Sequence, residues 1–177
     1  TSSFTVNSSI PVISSIGTSN FSWGQYLNDT ENNSTGTITV VTSGVEDSQI
    51  LTLELNSTNY TASVSSNTSY VTISSASLNT LSDGVVYTMN VDVKDLAENS
   101  ATQVVSDKFT VDKTLPVISS IGTSNFSWGQ YLNDTEDDST GTVTVITTGA
   151  EDGQLLTLAL NSTNYTASVS SNTSYVT

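Results

Sequence analysis

The chain contains a long exact internal repeat. Residues 11–31 return letter for letter at 116–136, so the repeat period is 116 − 11 = 105 residues. Aligned on that offset, 11–72 and 116–177 differ at nine of 62 positions. A period of this length exceeds the roughly 20 to 50 residues of solenoid repeats and matches one small domain. The repeat therefore predicts similar domains in series rather than one enzyme fold.

The register of the repeat also predicts where the domains begin and end. The segment Phe4–Pro11 matches Phe109–Pro116, so the chain starts inside one unit of the repeat. We expect three parts: the last strand and linker of a preceding repeat (1–10), a complete repeat (11–115) and an incomplete second repeat (116–177). A half-sandwich has open edges and is unstable alone. We favour the interpretation that the sequence is a section of a longer array of repeats. The alternative that a neighbouring chain completes the second repeat stays open.

Composition excludes several classes of partner. The net charge is −14, and the only basic residues are Lys94, Lys108 and Lys113. Nucleic acid is a poor partner because almost nothing is present to neutralise phosphates. No apolar run is long enough to cross a bilayer, so we expect no membrane insertion in this segment.

Catalysis finds no support in the residue types. The chain has neither His nor Cys, so a nucleophile would need a Ser or Thr activated by Lys or a carboxylate. No motif surrounds any of the lysines, and a stalk gains from serial copies more readily than an active site does. We predict a protein that is not an enzyme.

Apolar and polar residues alternate along most of the chain. Examples are Thr37–Thr42, Ile50–Leu55 and Val85–Val93, separated by turn residues such as Asn56-Ser57. This period is typical of strands with one buried face. Short strands with frequent turns favour an antiparallel sandwich. The predicted fold class is all-β, and no helical periodicity of useful length is present.

Several short motifs lie at Thr37–Gly44, Glu46–Gln49, Leu78–Gly84, Tyr87–Asn99 and Phe109–Pro116. Together they resemble the bacterial immunoglobulin-like repeats of giant cell-surface adhesins, and the resemblance covers the whole 105-residue unit. It implies tandem immunoglobulin-like antiparallel β-sandwiches that serve as extracellular extender domains. It also implies calcium ions that stiffen the joints between neighbouring repeats. Two positions depart from the pattern: Glu98 replaces the usual Gly, and Asn7 replaces the linker acid found at Asp112.

Acidic and amide side chains cluster in the loops that an immunoglobulin-type sandwich places where the chain enters. Oxygen ligands from several loops suit Ca²⁺, which takes about six to eight oxygens. Acids in turns can equally be solvated caps and Asx-turns. The sequence predicts one calcium site per joint: Glu46, Asp47, Asp95 and Asn99 at the first, and Asp112, Glu151 and Asp152 at the second.

Possible N-linked glycans are a further feature, because most asparagines begin an Asn-x-Ser/Thr triplet. Composition and duplication explain much of this excess, so both interpretations stay open. The triplets begin at Asn7, Asn20, Asn28, Asn32, Asn33, Asn56, Asn59 and Asn67, and at the copies Asn125, Asn133, Asn161, Asn164 and Asn172.

Three functions remain open from the sequence. We favour a structural extender repeat of a cell-surface adhesin or fibre, with neighbouring repeats or identical subunits as partners. The first alternative is a subunit of an extracellular filament or surface layer whose incomplete repeat is filled by another chain. The second is a carbohydrate-binding module that uses Trp23 or Trp128 as an exposed platform, although packing at the sandwich edge is the preferred role of both.

Overall fold

The computed structural model describes residues 4–177, and the chain forms two compact units, Thr1–Lys113 and Thr114–Thr177. Nearly all regular structure is β, as the alternation predicts. Residues 4–113 contain ten strands: β1 (Val12–Ile13), β2 (Tyr26–Asn28), β3 (Gly36–Ser43), β4 (Ile50–Leu55), β5 (Thr58–Ser63), β6 (Thr68–Ile73), β7 (Val86–Tyr87), β8 (Asn90–Val93), β9 (Val104–Val105) and β10 (Phe109–Asp112). Two short α-helices, α1 (Asp29–Asn32) and α2 (Ser75–Leu78), and a 3₁₀ turn (Thr18–Asn20) complete this part of the chain.

The strands of the first unit form a sandwich. One sheet has the order β1-β3-β6, a second has the order β5-β4-β8-β9, and a third small sheet, β2-β10-β7, closes the unit. Side chains on alternate positions, such as Ile38, Val71, Leu51 and Val91, have no exposed surface and belong to one core. This is the immunoglobulin-like architecture expected from the sequence, with hydrophobic residues inside two packed sheets.

Two tight hairpins show why the local sequence folds this way. Asn56 and Ser57 both have positive φ, 48° and 61°, and join β4 to β5 in a two-residue turn. Asn tolerates the left-handed region better than most residues, so the Asn-Ser pair suits this turn. The second unit repeats the arrangement at Asn161 and Ser162.

Some strands are shorter than the sequence predicts. The alternating segment Val85–Val93 is divided into β7 and β8, and β1 is limited to Val12–Ile13. One pairing is parallel, between β10 and β2, whereas all other pairings between strands are antiparallel in residues 4–177. Residues 4–10 form no strand. No helix within 4–177 is long and apolar enough to span a membrane.

The second unit repeats the first half of the same fold. Its strands are β11 (Val117–Ile118), β12 (Val143–Thr148), β13 (Leu155–Leu160), β14 (Thr163–Ser168) and β15 (Thr173–Val176), and its helix is α3 (Asp134–Asp137). Strands β11, β12 and β15 form one sheet, and β13 and β14 form a hairpin. Its buried core is small and contains Val143, Val145, Leu156, Val169 and Val176.

Candidate site at the entry loops of the first unit

The chain enters the first unit beside a loop that follows β8. Asn7 Nδ2 donates to Asp95 Oδ2 at 3.0 Å, and Asn99 Nδ2 donates to the Asn7 carbonyl at 3.1 Å. These contacts connect residues 88 and 92 positions apart in the sequence. The linker therefore contacts this loop within the first unit.

Asp95 is the centre of the contacts because its carboxylate is fully buried. Asn99 donates to it twice, from the backbone N–H to Oδ1 at 2.7 Å and from Nδ2 to Oδ2 at 2.8 Å. The side-chain donation from Asn99 is the main cause that lowers the pKa of Asp95 below its ordinary value. Burial opposes this shift, and backbone donors at Asn99 and Ala97 reinforce it. The loop therefore favours a charged carboxylate without a basic partner.

Glu46 and Asp47 belong to the neighbouring loop between β3 and β4, but they face different partners. Glu46 Oε2 accepts the Leu96 backbone N–H at 2.8 Å, which joins the two entry loops. Asp47 Oδ1 accepts the Ser66 backbone N–H at 2.8 Å and supports the turn between β5 and β6. The structure thus brings Glu46 to the loop of Asp95 and turns Asp47 towards another turn.

Two departures from the family pattern have visible consequences. Glu98 has φ of 67°, which is the left-handed conformation that favours glycine, and its side chain pairs with Lys94 at 3.0 Å on the surface. Asn7 takes part through its amide, and its Oδ1 accepts the Ser9 backbone N–H at 3.0 Å. The resemblance of the motifs pointed to both positions but did not show that Asn7 donates a hydrogen bond to Asp95.

The first predicted calcium set does not fit the ion in this arrangement. The carboxylates of Glu46, Asp47 and Asp95 each accept backbone or amide N–H groups. Within residues 4–177, no three Asp, Glu, His or Cys side chains group closely enough to hold a metal ion. A calcium ion needs about six to eight oxygens converging on one point. The observed pattern is that of Asx-turns and loop-bracing hydrogen bonds.

The second predicted set is divided between the units. Asp112 ends β10 in the first unit, whereas Glu151 and Asp152 lie between β12 and β13 in the second. Asp152 Oδ1 accepts the Ser171 backbone N–H at 2.6 Å, which repeats the role of Asp47. All three residues offer carboxylate oxygens, the donor type that calcium prefers. A site formed by these residues stays a prediction.

Several solved protein structures are similar in fold to this chain. The chain is similar to bacterial adhesin domains. No protein-family model and no curated protein matches it. A 1.5-MDa bacterial ice-binding adhesin is 24% identical with a TM-score of 0.49, covering 96% of this chain and 54% of that one. A Ca²⁺-stabilized adhesin of an Antarctic bacterium is 22% identical with a TM-score of 0.45, covering 94% and 40%.

A third solved structure is a single bacterial immunoglobulin-like domain of the M. primoryensis ice-binding adhesin. It is 20% identical with a TM-score of 0.40, and the match covers 58% of this chain and 96% of that domain. The chain spans about half the length of the first adhesin structure and less of the second. These structures are bacterial adhesin domains, the kind of protein that the sequence motifs resemble. Because identities and TM-scores are low, the function is inferred from the chain's own residues.

Trp23 is part of the core in the first unit. It is 6% exposed, stacks on Phe21 at 5.6 Å between ring centroids and contacts Phe109 edge-on at 5.3 Å. A buried indole cannot be a platform for a sugar ring, so the packing role expected for Trp23 is the one observed. In the second unit Trp128 is half-buried and stacks on Phe126.

The Asn-x-Ser/Thr triplets differ in accessibility. Asn32 is fully buried, and its side-chain amide has no hydrogen-bond partner among the described residues. Asn28 accepts the N–H groups of Thr30 and Glu31 and caps α1. By contrast, Asn59 and Asn164 lie exposed on β5 and β14. Glycans stay a prediction, and the folded chain could carry one at Asn59 but not at Asn32.

Proposed function

We propose that the chain is a structural extender of an extracellular cell-surface adhesin or fibre. The observation that carries this proposal is the fixed entry of the linker: Asn7 is bound through its side chain to Asp95 and through its carbonyl to Asn99. A linker held by loops of the following sandwich transmits orientation from one repeat to the next. The longest strand, Gly36–Ser43, has eight residues, and at ~3.3 Å per residue it spans roughly 26 Å, so each repeat adds at least that much reach.

The role of the acidic side chains supports a mechanical function rather than an enzymatic one. Glu46, Asp47 and Asp95 brace loops by accepting N–H groups. The chain offers no His or Cys for acid–base or nucleophilic chemistry. Serial duplication multiplies length, which suits a spacer. The proposal therefore includes no catalysed reaction.

The finer part of the proposal is that calcium rigidifies joints whose linker carries an acid. Asp112, Glu151 and Asp152 are the residues that would hold the ion. When bound, the cation would attract all three carboxylates and reduce the repulsion that a net charge of −14 creates. These residues would supply oxygen ligands from a linker and from the loop after β12, and the bound ion would then fix the direction of the linker.

Small-angle scattering of the full chain tests this part. We expect calcium to give a longer maximum dimension and a higher melting temperature than a chelator, because an unbridged joint bends freely. The variant Asp112→Asn should lose both differences. If neither the scattering curves nor the melting temperatures change with calcium, the proposed role of calcium is wrong. The extender proposal would then be tested by measuring the rigidity of the joint.

The second candidate is a subunit of an extracellular filament or surface layer, and one specific observation favours it. Leu27 lies on β2 beside β10 and is fully buried in the first unit, but its copy Leu132 is 55% exposed and lines a cavity of about 470 Å³. Phe4-Thr5-Val6 has the same sequence as residues 109–111 of β10, and Phe4 is 88% exposed. In this candidate, segment 4–6 of another copy would lie beside Leu132, as β10 lies beside Leu27 in the first unit.

Sedimentation over a range of concentrations distinguishes this candidate. Assembly between chains predicts concentration-dependent oligomers that disappear in Phe4→Ser, because the inserted ring is lost. Phe4 is exposed within its own chain, so this variant leaves the monomer fold unchanged. A stable monomer at all concentrations would count against the filament and favour the extender.

A further inference from the structure

We propose that Asn7 is a specificity-determining residue that makes the entry joint of the first unit independent of calcium. Its amide supplies the positive end of a dipole where a cation would otherwise be needed. This inference rests on the extender function proposed above and concerns how one joint is held. The inference distinguishes two kinds of linker. The linker with Asn7 is held by an amide, whereas the linker with Asp112 depends on a cation.

The coordination of Asp95 carries the first step. Its buried carboxylate is surrounded by N–H groups: Asn99 N at 2.7 Å, Asn99 Nδ2 at 2.8 Å and Asn7 Nδ2 at 3.0 Å. A carboxylate that accepts several N–H bonds is stabilised in its charged form without a counter-ion. A calcium ion at this position would have to displace these donors. The site is already satisfied.

The orientation of the Asn7 amide carries the second step. Its Oδ1 accepts the Ser9 backbone N–H at 3.0 Å, which leaves Nδ2 to face Asp95. Rotating the amide by 180° would break both hydrogen bonds and place an oxygen against the carboxylate. Thus the side-chain oxygen of Asn7 is engaged within its own turn and is not offered as a metal ligand.

The linker is held at a second point. Asn99 Nδ2 donates both to Asp95 Oδ2 and to the Asn7 carbonyl, 2.8 and 3.1 Å away. One amide therefore bridges the loop carboxylate and the linker backbone. Together with the Asn7 side chain, it closes a ring of hydrogen bonds that involves no charge other than that of Asp95.

The repeat supplies the natural comparison. Phe-Thr-Val-Asn at 4–7 and Phe-Thr-Val-Asp at 109–112 differ only in the last residue. An Asp in place of Asn7 would put a carboxylate oxygen about 3 Å from Asp95 Oδ2, where two like charges repel unless a cation lies between them. The choice of amide or acid at this one position therefore selects between the two kinds of joint.

The test uses the full chain, Asn7→Asp and the charge-matched control Asn59→Asp, in which the exposed side chain of β5 gains the same charge. Backbone resonances of Leu96 and Asn99 and the melting temperature are followed with millimolar calcium and with a chelator. We expect the unaltered chain and Asn59→Asp to show no calcium response at Leu96 and Asn99. Asn7→Asp should melt about 4–8 °C lower in chelator and recover in calcium, with shifts at both residues.

Calcium-dependent shifts at Leu96 and Asn99 in the unaltered chain would overturn the inference, as would an Asn7→Asp variant that ignores calcium. Asn7→Ala gives an independent readout, since it should speed hydrogen exchange of the Ser9 amide by removing its acceptor; unchanged exchange would also count against the inference. Resonances of Glu151 and Asp152 report on the other joint. If calcium does not shift these two resonances, the proposed calcium site at Asp112 is wrong, but the inference about Asn7 is unaffected.

Discussion

Asp95 is the residue whose charge state the fold controls most directly. N–H donors of Asn99 lower its pKa below the ordinary value of 3.8. A carboxyl with a lowered folded-state pKa stabilises the protein fully at pH values above the pKa of the unfolded chain. This contribution is lost as the pH falls through the lower folded-state pKa. We therefore expect the urea midpoint of the first unit to decrease in strong acid.

The variant Asp95→Asn separates this effect from the titration of other carboxyls. It should be less stable at pH 7, and its loss of stability between pH 7 and about pH 2 should be smaller than that of the unaltered chain. The measurement is the urea midpoint across that range. Parallel pH profiles for the two proteins would show that Asp95 does not carry the effect.

Gly36 gives a second prediction at this scale because Trp23 packs directly on its backbone. A Cβ at position 36 would overlap the indole ring and would lie 3.1 Å from Leu78 Cδ1. Overpacking of this kind costs about 1–3 kcal/mol, so Gly36→Ala should lower the free energy of unfolding by that amount. The measurement is chemical denaturation of the full chain.

The duplication offers a matched control in Gly141→Ala. The new Cβ there also meets the ring of Trp128, but Trp128 is only half-buried and has room to move. Its effect should be clearly smaller than that of Gly36→Ala. Equal effects would show that burial of the indole does not determine the cost.

The sequence predicted that the loops of Glu46 and Asp95 are neighbours at the entry of the first unit, because the repeat register and the strand pattern place those loops. Asp47, predicted with them, contacts the turn between β5 and β6 instead. The sequence could not predict the direction of the hydrogen bonds. Whether Asn7 offers an oxygen or an N–H group depends on the turn that gives its Oδ1 to Ser9, which has no signature beyond an Asn before serines. The calcium set was proposed from residue types, and types do not show that the Asp95 oxygens are already occupied.

At the scale of elements, β10 closes the first unit through its pairing with β2 and β7. Phe109 and Val111 are buried in the core, and the Phe109 ring contacts Trp23, Phe21 and Tyr87. Replacing a buried Phe by Ala typically costs about 3–5 kcal/mol, so Phe109→Ala should destabilise the first unit by that much in urea unfolding.

The same tripeptide occurs at residues 4–6, which makes Phe4→Ala a control with identical local sequence. Phe4 is exposed, so its replacement should change the stability of a monomer by about 0.5 kcal/mol or less. A large effect of Phe4→Ala, or a small one of Phe109→Ala, would contradict the roles assigned to the two copies.

The long strands β3, β4 and β6 were predictable because strict alternation continues along each of them. The interruptions between β7 and β8 and between β9 and β10 were not predictable. The Met89 backbone N–H donates to Ser106 Oγ at 2.9 Å, so a side chain replaces a backbone acceptor between β7 and β8 and between β9 and β10. Alternation of apolar and polar residues carries no information about such a substitution, since Met89 and Ser106 keep the expected inward positions.

At the scale of the whole molecule, we propose that calcium bound at Asp112 limits the motion of the linker between repeats. The chain contains no cysteine, so two labels can be introduced without background. Thr61 on β5 and Thr166 on β14 are exposed and occupy the same position in the two repeats. Spin labels at Thr61→Cys and Thr166→Cys report the distance between equivalent points of the two units.

Pulsed electron paramagnetic resonance on this doubly labelled chain measures how widely the distance between the two labels is distributed. We predict a narrow distance distribution in calcium that broadens in chelator, and a broad distribution in both conditions when Asp112→Asn is added. A distribution that is broad in calcium for the chain with Asp112 would mean a free hinge between the units and would contradict the extender mechanism proposed here.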